Sequence, residues 1–291
     1  MDLMAMSAAS EAVVAAAAAR VVRVEGGGRA QSGIVWGAGQ IVTAEETLAA
    51  EERVAVVLPC GDRVEAEIAG RDPSTDVALL RVETGAAEAW EPAPLPRAGA
   101  VALAVGRGSG GPLAGFGVVA EAGGAWTSAA GGRIDARLRL GMALGFRLEG
   151  GAAVDAAGRL LGMAVADPRR RALVIPVETI DRAVAVLAEK GYVGRGWLGL
   201  ALHPLRGAEG LVVVEVSEGG PGAAAGLLVG DVVTTWDGEA VGSMRGLAQR
   251  LGPDAVGRSV RLGLLRGGAA TEVAVTVGER QAGGRRRRPR R

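Results

Sequence analysis

The chain offers few groups for nucleophilic chemistry: one imidazole, His203, and one thiol, Cys60. A serine nucleophile needs a neighbouring base to take its proton, and imidazole suits that task best near neutral pH. His203 stands beside Pro204, past the long series of strand-like segments that fills the first two thirds of the sequence. The string GRGSGGPL (106–113) shows Ser109 in a nucleophile-like setting, yet no base accompanies it. Asp72 and Asp76 bracket the turn DPSTD, where aspartates commonly bond nearby main-chain N–H groups. The arrangement therefore lacks the parts of an acyl-transfer site.

The elements that must position these residues are mostly strands. From residue 20 to about 180, short Val/Ile/Leu runs alternate with Gly, Pro and Asp turns: VVRV (21–24), SGIVW (32–36), QIVT (40–43), RVAVVL (53–58), RVEAEIAG (63–70), VALLRV (77–82), VALAVG (101–106), FGVVAEAG (116–123), RLLGMAVA (159–166) and ALVIP (172–176). This is an all-β pattern, with PCGD (59–62) as a hairpin turn. The period then changes. ETIDRAVAVLAEKG (178–191) aligns Ile180, Val184, Leu187 and Ala188 on one helical face and stops at Gly191. A second, smaller unit follows, with strands expected at 197–202, 211–216, 231–238, 260–266 and 271–277 and a helix over 243–252 capped by Ser243. With five Trp, two Phe and one Tyr, the cores must be built mainly from aliphatic residues.

Several segments together resemble the HtrA family. They are GRDPSTDVALLRV (70–82), VDAAGRLLGM (154–163), GRGWLGLAL (194–202) and GGPGAAAGLLVGDVVTTWDG (219–238). The resemblance spans roughly residues 20–279 and implies a mainly β protein: a trypsin-like double β-barrel followed by a PDZ domain. The expected organisation is an Ala-rich helix at 1–19, a trypsin-like domain at 20–192, a PDZ domain at 193–279 and an Arg-rich tail at 280–291. From GERQ onward, after Val277, the apolar content is too low to offset chain entropy, so disorder is expected there.

Carried over residue by residue, the resemblance puts Glu46 at the catalytic histidine, Asp76 at the catalytic aspartate and Glu149 at the nucleophilic serine. Arg147 falls on a glycine whose N–H helps form the oxyanion hole, a backbone position that Arg should adopt only with strain. The family's machinery thus implies a protease fold without protease chemistry. An active endopeptidase with a rearranged site is the alternative. Three converging carboxylates could hold a hard divalent cation, or could be drift in an unused site with side chains turned to water. The expectation is drift, with no metal and no cofactor. Ser109 lies some forty residues ahead of the true nucleophile segment and is set aside.

The PDZ resemblance implies peptide binding. Gly196, Trp197, Leu198 and Gly199 match the loop that receives a C-terminal carboxylate, Leu200 begins the pairing strand, and Leu247 and Leu251 are expected pocket residues. A peptide or protein ligand is the expected partner, with a homo-oligomer as a further option. The six arginines of 285–291 offset a net charge of −5 on the rest of the chain and suggest a weaker attraction to nucleic acid or an anionic surface. Arginine outnumbers lysine 32 to one, a bias typical of GC-rich coding sequence that lowers the weight of such a run. The apolar stretch AVVAAAAA (12–19) lacks a basic region before it and is too short to span a bilayer. A short helix from Ser10 and a cytoplasmic location are expected, with export by a weak signal as the alternative.

Overall fold

The structure, a computed structural model, describes residues 2–26, 28–48, 52–83, 88–205 and 209–280. The described residues divide into two compact units, one within 2–126 and 133–192, the other within 127–132 and 193–280. The arginine run 285–291 lies outside the described residues.

The first unit holds two closed six-stranded antiparallel barrels. Barrel one comprises β1 (Val21–Gly26), β2 (Arg29–Gly37), β3 (Gln40–Ala44), β4 (Arg53–Val57), β5 (Arg63–Asp72) and β6 (Val77–Arg81), in the order β1-β2-β3-β6-β5-β4. Strand alternation sends Val22, Val24, Ile41, Val54, Val56 and Leu80 into its core. Val21, Ile34, Val42 and Leu79, of opposite parity on the same strands, are buried too. A partner must therefore cover their face, and β7 packs against β1 and β2.

Barrel two follows with β7 (Val101–Gly108) and β8 (Gly111–Gly123), then, after a two-stranded ribbon of β9 (Trp126–Thr127) and β10 (Arg133–Ile134), β11 (Arg137–Ala143), β12 (Ala152–Asp155), β13 (Leu160–Ala166) and β14 (Arg171–Pro176). Neither β11 nor β12 stands out in the sequence. RLRLGMA alternates Leu138 and Leu140 with long arginines whose charge masks the period, and AAVD is four residues of mostly small side chains. Both strands exist because a closed barrel needs partners on each side of β8 and β7.

Two helices finish this unit. Helix α1 (Leu3–Ala18) starts well before Ser10, because Asp2 caps it by accepting the Met4 N–H at 2.9 Å, while Ser10 Oγ bonds back to the Met6 carbonyl within the helix. Its end is stapled by Arg107, which donates to the Ala18 carbonyl at 2.8 Å and the Val21 carbonyl at 2.7 Å. Helix α2 (Val177–Lys190) buries Ile180, Ala183, Val184 and Leu187 and closes on Gly191 at φ 75°, as its pattern requires.

The second unit is built on β15 (Arg195–Trp197), β16 (Leu200–Pro204), β17 (Leu211–Val216), β18 (Val232–Trp236), β19 (Glu239–Ala240), β20 (Ser259–Arg266), β21 (Ala269–Thr276) and β22 (Gly278–Arg280), with α3 (Pro221–Ala224) and α4 (Met244–Arg250). Its main sheet runs β16-β17-β18-β20-β21, with β19 paired to β18. Ser243 caps α4, accepting the Gly246 N–H at 3.1 Å. Two expectations change. The stretch 197–202 is not one strand, because Gly199 at φ 71° breaks it after Leu198. Residues 278–280, expected to be disordered, pair with Arg195–Trp197, which satisfies main-chain groups that the low apolar content alone could not order.

Asp231 anchors this unit. It is 2% exposed and accepts from Arg266 Nε at 2.8 Å, Arg266 Nη2 at 2.7 Å and the Leu228 N–H at 2.9 Å. The Arg266 bonds hold its carboxyl below the usual carboxylate range against the opposing effect of burial. Asp231→Ala should cost this unit on the order of 2 kcal/mol at neutral pH in urea unfolding. A depressed pKa contributes stability that is present above the unfolded value and lost as pH falls through the folded one. The difference between wild type and variant should therefore shrink below about pH 4.

Candidate functional site

The three carboxylates carried over from the family divide in two. Glu46 and Asp76 meet: the Glu46 main-chain N–H donates to Asp76 Oδ1 at 2.7 Å, and the Glu45 N–H to the Asp76 carbonyl at 3.3 Å. Asp76 is held at φ 60°, left-handed for a non-glycine residue. The turn before it is fastened by Asp72, which accepts from the Ser74 N–H at 2.9 Å and from the hydroxyls of Ser74 and Thr75, each at 2.5 Å. Burial pushes the Asp76 carboxyl up to about 7; the Glu46 N–H bond opposes this, and the charges of Glu46, Glu45 and Glu149 add to it. The Glu46 side chain is exposed.

Glu149 acts on Asp76 only through its charge and takes its ion-pair partner from another turn. It is 4% exposed, and its Oε2 receives Arg170 Nη1 at 2.9 Å. Arg170 also donates to the Leu144 carbonyl at 2.7 Å and lies 3.9 Å from the centroid of the Phe146 ring. The expected picture of side chains turned to water does not hold for Glu149, because this guanidinium gives its charge a partner inside the protein. Among the described residues no group of three His, Cys, Asp or Glu side chains is arranged to hold a metal ion.

The loop around Glu149 also differs from expectation. Arg147 sits within a 3-10 turn, Phe146–Leu148, and is not among the residues with positive φ. The predicted strain is absent because the left-handed step falls on Gly150, φ 80°, where a Cβ would collide with the Ser32 carbonyl and Thr43 Oγ1. In this turn the Leu148 N–H donates to the Gly145 carbonyl at 2.9 Å and the Glu149 N–H to the Phe146 carbonyl at 3.3 Å. The Glu149 N–H is thus already spent. Ser32 fixes the turn from barrel one, donating from Oγ to the Arg147 carbonyl at 2.5 Å and from its N–H to the Glu149 carbonyl at 2.8 Å. Sequence reasoning missed Ser32, Phe146 and Arg170. Arg170 lies in the run RRR (169–171), which composition bias made easy to discount.

In the second unit the proposed carboxylate loop splits as well. The Gly196 N–H donates to the Leu251 carbonyl at 3.1 Å, and Trp197 pairs with Gly278, so both residues are engaged. Leu198 and Gly199 follow, and their N–H groups donate to no main-chain carbonyl among the described residues. Leu200 opens β16, an edge strand whose far side has no sheet partner among the described residues and against which α4 packs. Leu251 is partly buried, whereas Leu247, expected to line a pocket, is 3% exposed within the core formed with Leu198, Leu211 and Val233. The helical period turns Leu247 inward. His203 lies in β16, paired with Val212.

Residues 31–163 match the trypsin-like peptidase domain family and residues 196–277 the PDZ domain family. The chain is 30% identical over 261 residues to a probable periplasmic serine endoprotease, DegP-like, of Brucella suis biovar 1 (strain 1330), covering 82% of this chain and 50% of that protein. The chain thus spans about half the length of that relative. A serine endoprotease from Yersinia pestis superposes with a TM-score of 0.70 at 26% identity, over 93% of this chain and 98% of that one. The HtrA-type protease AlgW with tripeptide gives a TM-score of 0.66 at 26% identity, over 92% and 96%. The expected cytoplasmic location is overturned, since relatives from Brucella, Bartonella and Rhizobium are named periplasmic. A lone cysteine excludes an intrachain disulfide in any compartment and so never discriminated between them. Among the described residues no helix is long and apolar enough to cross a membrane. Two closed barrels ending in α2, followed by an edge-stranded sheet with its glycine loop, give this chain a trypsin-like peptidase domain followed by a PDZ domain, the arrangement of the HtrA-type proteases to which it is similar.

Proposed function

We propose that this chain is a non-hydrolytic HtrA-type protein that captures exposed or C-terminal polypeptide through its PDZ domain and works outside the cytoplasm, as its periplasmic relatives do. The observation that carries the non-hydrolytic reading is the bond from the Glu46 N–H to Asp76, which supports the register that puts a carboxylate where the base must stand. Asp76 could itself accept a proton near pH 7, but the position assigned to the nucleophile holds Glu149, which is not a serine for it to serve. The nucleophile position is a carboxylate held by Arg170, and its N–H is bonded to Phe146. Losing one oxyanion donor alone costs roughly 10²–10³ in rate in related chemistry. Peptide capture needs less: an open strand edge and unspent N–H groups, which β16, Leu198 and Gly199 supply.

The purified chain should leave casein intact, and serine-directed phosphonates should leave every serine unlabelled, Ser109 included. The relatives' named activity makes the opposite forecast, so one labelled serine in a peptide map would decide against this reading. Asp76 should titrate near 7 by carboxylate NMR. A raised pKa contributes stability that is full below the unfolded value and lost as pH rises through the folded one. Asp76→Asn should therefore flatten the stability profile between about pH 4 and about pH 8. For the PDZ domain, amidating the C-terminus of a bound peptide should weaken binding about tenfold or more in a calorimetric titration, because the carboxylate is what the Leu198 and Gly199 N–H groups receive.

A further inference from the structure

The turn Phe146–Leu148 carries a feature that neither peptide capture nor the missing triad uses. Phe146 is 58% exposed, although a phenyl ring gains more from burial than most side chains. Two guanidinium groups lie against it: Arg170 at 3.9 Å and Arg29 at 5.5 Å from the ring centroid. They arrive from different elements, Arg29 from the start of β2 and Arg170 from the turn between β13 and β14. The Arg170 charge is met by Glu149. Arg29 and Arg147 are both exposed, and neither has a carboxylate within ion-pair distance among the described residues. This surface therefore carries a largely exposed aromatic ring with Arg29 against it and the exposed Arg147 next in sequence, neither arginine in an ion pair among the described residues. A guanidinium laid on a ring face keeps the N–H donors at its edge free for bidentate bonds to carboxylates.

We propose that Arg29, Phe146 and Arg147 form a docking surface for an acidic polypeptide segment, using no residue of the PDZ domain. Carboxylates of the segment meet the two exposed guanidinium groups, and an apolar side chain between them rests on Phe146. Nucleic acid fits the surface less well. It needs a stripe of cations along its phosphates. Here two exposed guanidinium groups, Arg29 and Arg147, beside an Arg170 already paired with Glu149, do not make such a stripe.

The test uses the full chain and a short Glu/Leu peptide, blocked at both ends so that it offers no C-terminal carboxylate, with a benzophenone side chain at its centre. After irradiation, mass spectrometry should find crosslinks at residues 144–149. The Arg29→Gln, Arg147→Gln double variant should bind the peptide about tenfold more weakly at low salt. Phe146→Ala should weaken it as well. Both arginines are exposed, so the double variant should keep the wild-type melting temperature. If it does not, the wild-type crosslink map and the two single variants decide. Crosslinks confined to 281–291 or to 196–251, or an unchanged affinity in the double variant, would overturn the proposal. So would a single-stranded oligonucleotide of equal charge that outcompetes the peptide and loses affinity in the same variant.

Discussion

Two closed barrels have no sheet edges to offer one another, so side chains and loops must join them. Ser32 makes that junction. It is fully buried in β2, its Oγ donates to the Arg147 carbonyl and accepts the Arg107 N–H at 2.9 Å, and its N–H donates to the Glu149 carbonyl. Its own carbonyl accepts from Thr43 Oγ1 at 2.6 Å, and Thr43 Oγ1 in turn accepts from Gln31 at 2.8 Å. Leaving such a buried group unpaired costs roughly 1–3 kcal/mol, so the network constrains every segment it touches. Those segments include β3, which leads to Glu46, β7, which staples α1 through Arg107, and the turn that holds Glu149. Gly106 and Gly150 are glycines at this junction because a Cβ on either would enter it.

On that frame Glu149 is held as a structural residue. Glu149 is enclosed, and the interactions that enclose it come from Arg170, which binds its carboxylate, the Leu144 carbonyl and the Phe146 ring. Arg170 sits at φ 59°, a left-handed conformation costing roughly 1 kcal/mol or more, which persists because three contacts over-determine it. Glu149 is enclosed while Arg170 is partly open to solvent, so losing the arginine would leave an enclosed carboxylate without its partner, a cost of roughly 1–3 kcal/mol. That cost gives the pair a reason to remain without any catalytic duty. It also gives the 144–149 turn one defined shape, with Phe146 and Arg147 presented outward.

The second unit is organised differently. Its sheet is open, and β16 is an edge, the feature that sheets usually blunt because it invites another strand. Here α4 stands beside the edge and Gly199 turns the preceding main chain. Recognition by backbone groups makes no demand for rare side chains, so it survives the composition bias that fills the chain with Ala, Gly and Arg. The first unit concentrates its distinctive side chains at the Glu149 turn, whereas the second relies on backbone.

Strand parity, turn residues and the α2 stripe follow from local periodicity, and so most strands of an all-β unit and of the sheet after it were legible residue by residue, whereas the double barrel came from the family resemblance. The resemblance also singled out Glu46, Arg147 and Glu149 for attention, because residue identity at a position is a property of sequence alone. Tertiary structure decided the rest. Strands β11 and β12 appear only when a barrel must close around β7 and β8. Leu247 turns inward because the whole sheet forms the core it joins. Glu149 is paired rather than solvated because Arg170, twenty-one positions away, folds back over it. Arg147 is unstrained because the left-handed step belongs to Gly150. Each of these depends on which distant atoms come within a few ångströms, and hydrogen bonding and desolvation act at that range regardless of separation along the chain.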